Sequence, residues 1–156
     1  MKIAIVTGAS SGMGKEFVQQ IDRACNDLEQ IWVIARSIEQ TEFTETKAEL
    51  VRIPLDLTKE DDANILVKRL ETEKPQIKIL VNSAGFGKLG KFAEVPLDIQ
   101  TDMIECNDVA LVKMCHFCIP YMVKGGYIIN MASVAAFMPQ MRFAIYAASK
   151  AFVLSF

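Results

Sequence analysis

The sequence has little of what a membrane span or a nucleic-acid surface requires. Its longest apolar stretches, residues 109–123 and 127–139, contain Lys113, His116 and Asn130, and neither reaches the roughly 18 uninterrupted apolar residues of a membrane helix. Seventeen basic and 19 acidic residues give a net charge of -2 without a basic stripe. We therefore expect a soluble protein with neither membrane nor nucleic acid as a partner.

Cysteine and histidine are also scarce. Four cysteines in 156 residues, a length that supports a core without disulfide bonds, predict a protein of the reducing cytoplasm. Cys115 and Cys118 flank the single histidine, His116. No second pair of ligands lies nearby, so we interpret the two cysteines as packing residues of a helix rather than as a metal or redox site.

Short apolar runs alternate with longer amphipathic segments along the whole chain. This alternation predicts an α/β fold in which a parallel sheet carries helices on both faces. The apolar start of the chain is too short for a secretory signal and is interpreted as the first strand. The predicted strands cover residues 3–6, 31–35, 51–55, 77–81 and 127–131, and the main helices cover 12–25, 59–73 and 97–123.

The third run differs from its neighbours because Arg52 and Pro54 interrupt its apolar residues. Proline lacks the N–H that an interior strand donates, so this strand is expected at an edge of the sheet. A doubly wound (Rossmann) sheet with the order 3-2-1-4-5 places the third strand at an edge and the first, second and fourth strands inside.

A glycine-rich turn, Thr7-Gly8-Ala9-Ser10-Ser11-Gly12-Met13-Gly14, joins the first strand to the first helix. Glycines allow the backbone to approach a pyrophosphate closely, and the free N–H groups of a helix start attract the anion. An ordinary connection between strand and helix could carry the same glycines. The position at the first strand–helix junction favours a phosphate-binding turn.

Four more motifs follow in order along the chain. They are Asn82-Ser83-Ala84-Gly85 after the fourth strand, Asn107 in the long helix, Ser133 after the fifth strand, and Tyr146-Ala-Ala-Ser-Lys150 in the last helix. Together with the glycine turn, this ordered set resembles the classical short-chain dehydrogenase/reductase family over the whole chain. The resemblance implies that residues 1–156 form one dinucleotide-binding Rossmann domain.

The resemblance also implies hydride transfer between a ketone or aldehyde and an alcohol, with catalytic residues Asn107, Ser133, Tyr146 and Lys150. Tyr146 and Lys150 are four residues apart and share a helix face, so the ammonium can stabilise the phenolate. Ser133 would donate a hydrogen bond to the carbonyl oxygen, and Asn107 would hold a water that links Lys150 to solvent. Taken singly, each residue could be an ordinary core, turn or surface residue.

The choice of cofactor depends on the end of the second strand. Arg36 and Ser37 stand there in place of the acidic residue that selects NAD, so we expect NADP(H) rather than NAD(H). A solvated Arg36 is the alternative. The residues expected to bind the cofactor are Gly8, Ser10, Ser11, Gly12, Met13, Gly14, Arg36, Ser37, Asp56, Leu57, Asn82, Ala84, Gly85, Tyr146 and Lys150, with no metal.

Apolar residues around the expected site suggest an apolar carbonyl or alcohol substrate, although core packing would explain them equally well. They are Phe86, Phe137, Met138, Met141 and Phe143. The family's dimer contact implies a homo-oligomer, a dimer or tetramer, formed through the two helices that carry Val109, Val112, Cys115, Phe117, Ala151, Phe152 and Leu154.

Ten residues follow Tyr146, and the chain ends within an apolar helix. A family member would continue with further strands, so we expect a chain that lacks its C-terminal part and leaves the fifth strand as an exposed edge. A rival hypothesis follows from that end: a dinucleotide-binding sensor or regulatory module without catalysis. Intact Ser133, Tyr146 and Lys150 favour the enzyme.

Overall fold

A computed structural model describes residues 1–156 and contains one five-stranded parallel sheet. Its strands are β1 (Lys2–Thr7), β2 (Gln30–Ile34), β3 (Glu49–Ile53), β4 (Gln76–Asn82) and β5 (Met122–Asn130). The strand order is β3-β2-β1-β4-β5, and every neighbouring pair is parallel. The doubly wound order expected from the sequence is confirmed.

Five α-helices accompany the sheet: α1 (Gly12–Ala24), α2 (Glu60–Glu73), α3 (Leu97–Ile104), α4 (Ala110–Cys118) and α5 (Ala144–Ser155). A π-helical segment, Glu105–Val109, joins α3 to α4 without a break. Short 3-10 turns cover Ile38–Gln40, Ile119–Tyr121 and Val134–Ala136. No helix combines the length and the apolar character that crossing a membrane would need.

The sheet has a hydrophobic core on each face. Ile3 and Ile5 of β1 point into the core formed with α2, α4 and α5, whereas Ala4 and Val6 point into the core formed with α1. Successive side chains of a strand face opposite sides, so an interior strand with two covered faces needs apolar residues throughout. This explains the continuous apolar runs of β1, β2 and β4.

The two edges of the sheet are β3 and β5. At the first edge, Arg52 donates hydrogen bonds from Nη1 to the carbonyl oxygens of Ile38 and Thr41, both at 2.7 Å. The edge position predicted for the third strand is confirmed, with the strand itself starting and ending two residues earlier than expected. At the second edge, Tyr127 and Ile128 are exposed, by 64% and 38%.

The prediction of a helix over 97–123 is wrong at its C-terminal end, and the fifth strand begins five residues before the predicted 127. The helix ends at Cys118, and β5 starts at Met122, which pairs with Ile77 of β4. Pro120 lacks the N–H that would continue the helical hydrogen bonds. The apolar Met122 and Val123 extend the helical pattern of the sequence, but their backbone pairs with the sheet.

The face of α4 that packs on the sheet contains Leu111, Cys115 and Cys118, at the spacing of one helix face. Cys115 is 4% exposed, so its expected place on an outward oligomer face is wrong. Both cysteines of the Cys115–Cys118 pair lie in the core, as the packing interpretation expected. Burial raises the pKa of the Cys118 thiol to about 12.

Candidate functional site

The glycine turn between β1 and α1 is a place where backbone segments approach each other too closely for side chains. Gly8 has a φ of 65°, and a Cβ on it would lie 2.7 Å from the backbone nitrogen of Ala84. A Cβ on Gly14 would lie 2.2 Å from the carbonyl oxygen of Gly8. The turn therefore needs glycine at both positions, and it holds the start of α1 open to the space above the sheet.

A cleft of about 670 Å³ lies at this turn, at the carboxyl ends of β1, β2 and β4. The order of the strands reverses between β1 and β4, and ligands of doubly wound sheets bind at such a reversal. Most residues that the sequence assigned to cofactor binding line the cleft: Gly8, Ser10, Ser11, Gly12, Met13, Gly14, Arg36, Ser37, Asp56, Leu57, Ala84 and Gly85.

Asn82 does not line the cleft. Its side chain is buried, and Nδ2 donates hydrogen bonds to Asn130 Oδ1 at 2.9 Å and to Cys115 Sγ at 3.3 Å. These bonds connect the ends of β4 and β5 beneath the cleft. The position of Asn82 thus supports the sheet that carries the following Ala84 and Gly85.

The sequence reasoning missed part of the cleft wall. Asp102 and Cys106 line it from the long helix, and Phe86, expected beside the substrate, lines it from the loop after β4. Asp102 and Cys106 are four residues apart and share a helix face, but Cys106 adjoins Asn107 in sequence, so helical periodicity from Asn107 would not have identified them. Ile34, Ala35, Leu55, Thr58, Lys59 and Ser83 complete the lining.

Arg36 and Asp56 give the cleft one charge of each sign at the ends of β2 and β3. Burial opposes ionisation of Asp56, but hydrogen bonds from the Thr58 hydroxyl at 2.7 Å and the Thr58 N–H at 3.1 Å, together with the charge of Arg36, lower its pKa. A carboxylate and a guanidinium therefore face the same space. The Arg36 guanidinium, the glycine turn and the free N–H groups of α1 all offer hydrogen-bond donors. Such a set of donors suits a phosphate-bearing dinucleotide.

Tyr146 and Lys150 lie one turn apart on α5, next to the cleft. Lys150 Nζ is 5.9 Å from the centre of the Tyr146 ring and donates a 2.8 Å hydrogen bond to the carbonyl oxygen of Met131. A Cβ on Gly87 would lie 2.8 Å from the Tyr146 ring, and a Cβ on Gly85 would lie 3.6 Å from Lys150 Nζ. The loop after β4 therefore joins the cleft to the tyrosine–lysine pair.

Ser133 lies at the start of a 3-10 turn that packs against α5. Its Oγ accepts a 3.2 Å hydrogen bond from the N–H of Ala135, which leaves the hydroxyl proton available for donation. The residue is partly exposed, and it stands between the end of β5 and the helix that carries Tyr146.

Asn107 is almost completely buried, at 1% exposure. Its Oδ1 accepts a 2.9 Å hydrogen bond from the N–H of Phe86, and Nδ2 donates to the Phe86 carbonyl oxygen and to Ser149 Oγ, both at 3.0 Å. The side chain clamps the loop after β4 to α5. Asn107 therefore positions the cleft wall and the helix of Lys150 relative to each other.

Asp108 is a buried acid that the sequence reasoning did not select. It is 8% exposed, and its Oδ1 is sealed from solvent without a hydrogen-bond partner. Burial raises the pKa of this carboxyl to about 6, against the opposing effect of the Lys150 charge. Burial also lowers the pKa of Lys150, while the charges of Asp108 and Cys106 oppose that change.

We expect Asp108→Asn to raise the melting temperature above about pH 6, because the variant removes a carboxylate that folding has to bury. An acid whose pKa rises from 3.8 to about 6 on folding binds more protons in the folded state. Its cost to stability is therefore complete above pH 6 and disappears as the pH falls towards 3.8. Each kcal/mol of this cost that the variant removes should raise the melting temperature by about 2–4 °C.

Thermal melts of the wild type, Asp108→Asn and the exposed control Asp98→Asn between these pH values measure the effect. A stabilisation of Asp108→Asn that is equal at all pH values, or shared by the control, would contradict the expected cause.

The family model for short chain dehydrogenases matches residues 2–156. A short chain dehydrogenase of Pseudocercospora fijiensis is 34% identical over 99% of this chain and 52% of its own length. The human 17-beta-hydroxysteroid dehydrogenase type 3 is 33% identical over 98% of this chain and 51% of its own. The chain thus spans about half of the length of these two curated relatives.

Solved structures agree with this result. A short-chain dehydrogenase from Sphingobium yanoikuyae in complex with NADPH superimposes with a TM-score of 0.82 and 26% identity, over 99% of this chain and 63% of that one. Matching structures include complexes with NADH as well as with NADPH.

Proposed function

Because the chain belongs to the short chain dehydrogenase family, we propose that it is the cofactor-binding and catalytic part of an NADP(H)-dependent oxidoreductase that interconverts a ketone or aldehyde and an alcohol. The observation that carries this proposal is the placement of Tyr146 and Lys150 on one helix face beside the cleft, with Nζ 5.9 Å from the ring. A nicotinamide cofactor, when bound, supplies or accepts the hydride.

Several residues of the cleft would hold the cofactor. The N–H groups of the glycine turn, from Ser10 to Gly14, are the donors suited to its pyrophosphate. The Arg36 guanidinium can pair with a 2′-phosphate, which supports NADP(H) over NAD(H). Asp56 and Leu57 form the wall next to Arg36, where the adenine is expected.

The proton chemistry is assigned to three side chains. In carbonyl reduction, Tyr146 would give its phenolic proton to the carbonyl oxygen while Ser133 donates a hydrogen bond to the same atom. The charged Lys150 would stabilise the phenolate that remains and hold the nicotinamide ribose. Asn107 would keep the loop after β4 and α5 in register through its bonds to Phe86 and Ser149.

The substrate is proposed to be an apolar carbonyl compound or alcohol. Phe137, Met138 and Met141, between Ser133 and Tyr146, are 71%, 68% and 91% exposed, and Phe86 of the cleft wall is 40% exposed. Such a concentration of exposed apolar side chains next to catalytic groups suits an apolar ligand. The name of the human relative, a 17-beta-hydroxysteroid dehydrogenase, supports a ketone of this kind.

The direct test is NADPH oxidation by the full-length protein with a panel of apolar ketones and aldehydes, in a cytoplasm-like reducing buffer. The proposal expects turnover with at least one carbonyl and saturable binding of NADPH. Binding of NADPH without turnover of any carbonyl would favour a sensor or regulatory module. Absence of both would refute the proposed dinucleotide function.

We also propose a homo-oligomer, a dimer or tetramer, formed through α4 and α5. Val112 of α4 and Phe152 and Leu154 of α5 are exposed by 36%, 43% and 47%. Exposed apolar side chains on both helices favour burial against a second copy. Light scattering of the full-length protein at micromolar concentration should give a multiple of the subunit mass, and Phe152→Glu should reduce it. A monomeric wild type would contradict this contact.

A further inference from the structure

The π-helical segment Glu105–Val109 brings two consecutive polar side chains into the protein interior. An α-helix turns by about 100° per residue, whereas the wider π-helical turn, with i→i+5 hydrogen bonds, turns less. Asn107 and Asp108 both face inward, and they are 1% and 8% exposed. The hydrogen bonds of Asn107 explain its burial, but Asp108 Oδ1 has no such partner. Hydrogen bonding therefore does not explain why Asp108 is buried.

Lys150 is likewise buried with too few polar partners. It is 7% exposed, and Nζ makes a single hydrogen bond, to the Met131 carbonyl oxygen, of the three that an ammonium can donate. A buried charge is costly unless an opposite charge compensates it. Lys150 therefore needs a negative partner.

The π-helical segment packs against α5, and the hydrogen bond from Asn107 Nδ2 to Ser149 Oγ joins the residues next to Asp108 and Lys150. Asp108 and Cys106 of the π-helical segment favour the charged form of Lys150, Asp108 with the larger effect, and Tyr146 lies on its own helix. From the end of β5, it meets the carbonyl oxygen of Met131. Lys150 is in turn the charge that acts on Asp108. Asp108 is the only carboxylate in this set.

We propose that Asp108 is a positioning residue for Lys150, whose carboxylate keeps the buried ammonium protonated through space so that Lys150 can stabilise the Tyr146 phenolate. The catalytic part of this inference rests on the proposed function, but the electrostatic part does not. Asp108 does not line the cleft, and it acts on the reaction through Lys150. Asp108 is ionised above about pH 6, which is the range in which its carboxylate can support the charge of Lys150.

The test is a pH titration of the Lys150 side chain by NMR in the full-length protein labelled with 13C and 15N lysine, with Lys150→Arg to assign the resonance. The wild type should show a change in the Lys150 shift near pH 6, where Asp108 titrates, before Lys150 itself titrates. In Asp108→Asn that change should vanish. The midpoint of Lys150 should also fall by about one pH unit, since an opposite charge is removed.

Asp98→Asn is the matched control, because it removes an exposed carboxylate of α3 and should leave both features in place. A wild-type titration without the change near pH 6 would overturn the proposal, even if the Asn variant failed to fold. An unchanged Lys150 midpoint in a folded Asp108→Asn variant would also overturn it.

A second readout connects the charge to the reaction. In Asp108→Asn, kcat for carbonyl reduction should decline at a lower pH than in the wild type, since Lys150 loses its proton earlier. An unshifted profile would remove the catalytic part of the proposal. If no carbonyl is reduced at all, the proposed function fails, while the NMR titration still decides the relation between Asp108 and Lys150.

Discussion

Replacing Tyr146 with phenylalanine is expected to lower the turnover of carbonyl reduction by about 100-fold or more, because the loss of a general acid typically costs 10²- to 10⁴-fold. The ring contacts should survive, since Tyr146 packs 5.1 Å from the Phe143 ring and against Gly87 through its ring atoms. The affinity for NADPH should therefore stay close to that of the wild type. Only the transferable proton is removed.

The measurement is kcat together with the NADPH dissociation constant in the full-length protein. Tyr127→Phe is the control, because it removes the hydroxyl of a tyrosine on β5 that is 64% exposed. It should change neither quantity. If Tyr146→Phe keeps more than about a tenth of the wild-type turnover, well above the range for a lost general acid, the proton comes from another group.

Replacing Arg36 with alanine is expected to remove a preference for NADPH over NADH of about 10- to 150-fold. A charge-assisted hydrogen bond to a phosphate contributes roughly 1.5–3 kcal/mol, which corresponds to that range of affinity. Arg36 lines the cleft directly after β2 and lies close enough to Asp56 to lower the pKa of that carboxyl. Its charge thus acts inside the cleft.

Titration of the wild type and the variant with both cofactors gives the ratio of affinities. The affinity for NADPH should fall in Arg36→Ala, and the affinity for NADH should change little. Arg23→Ala, which removes an exposed arginine from the last turn of α1, should leave the ratio unchanged. Equal wild-type affinities, or an Arg36→Ala variant with the wild-type ratio, would show that another residue selects the cofactor.

Much of the architecture follows from local sequence patterns. Continuous apolar runs identify interior strands because both of their faces must be covered. Arg52 interrupts the apolar run of the edge strand, whereas Pro54 lies one residue beyond β3 and marks its end. The glycines of the first turn identify the place of the cleft because the turn beside it requires them. A side chain on Gly14 would clash with the Gly8 backbone. These signals are strong because each depends on a constraint within a few residues of the chain.

The tertiary structure decided what local patterns leave open. Met122 and Val123 are apolar in a way that suits a helix or a strand equally, and only pairing with Ile77 of β4 makes them a strand. The partners of Asn107 are 21 and 42 residues away, so its clamp between Phe86 and Ser149 has no local signature.

The burial of Asp108 is also a feature that local sequence patterns do not predict. The regular 3.6-residue period of an α-helix does not predict which positions a π-helical segment turns inward, because the wider turn changes the direction of every side chain in it. The sequence by itself determined the order of the sheet, the place of the cleft and the tyrosine–lysine pair. The packing of α5 against the π-helical segment brings a buried carboxylate within electrostatic range of Lys150. The two residues are 42 positions apart in sequence, and their charges interact more strongly in the interior than they would in water.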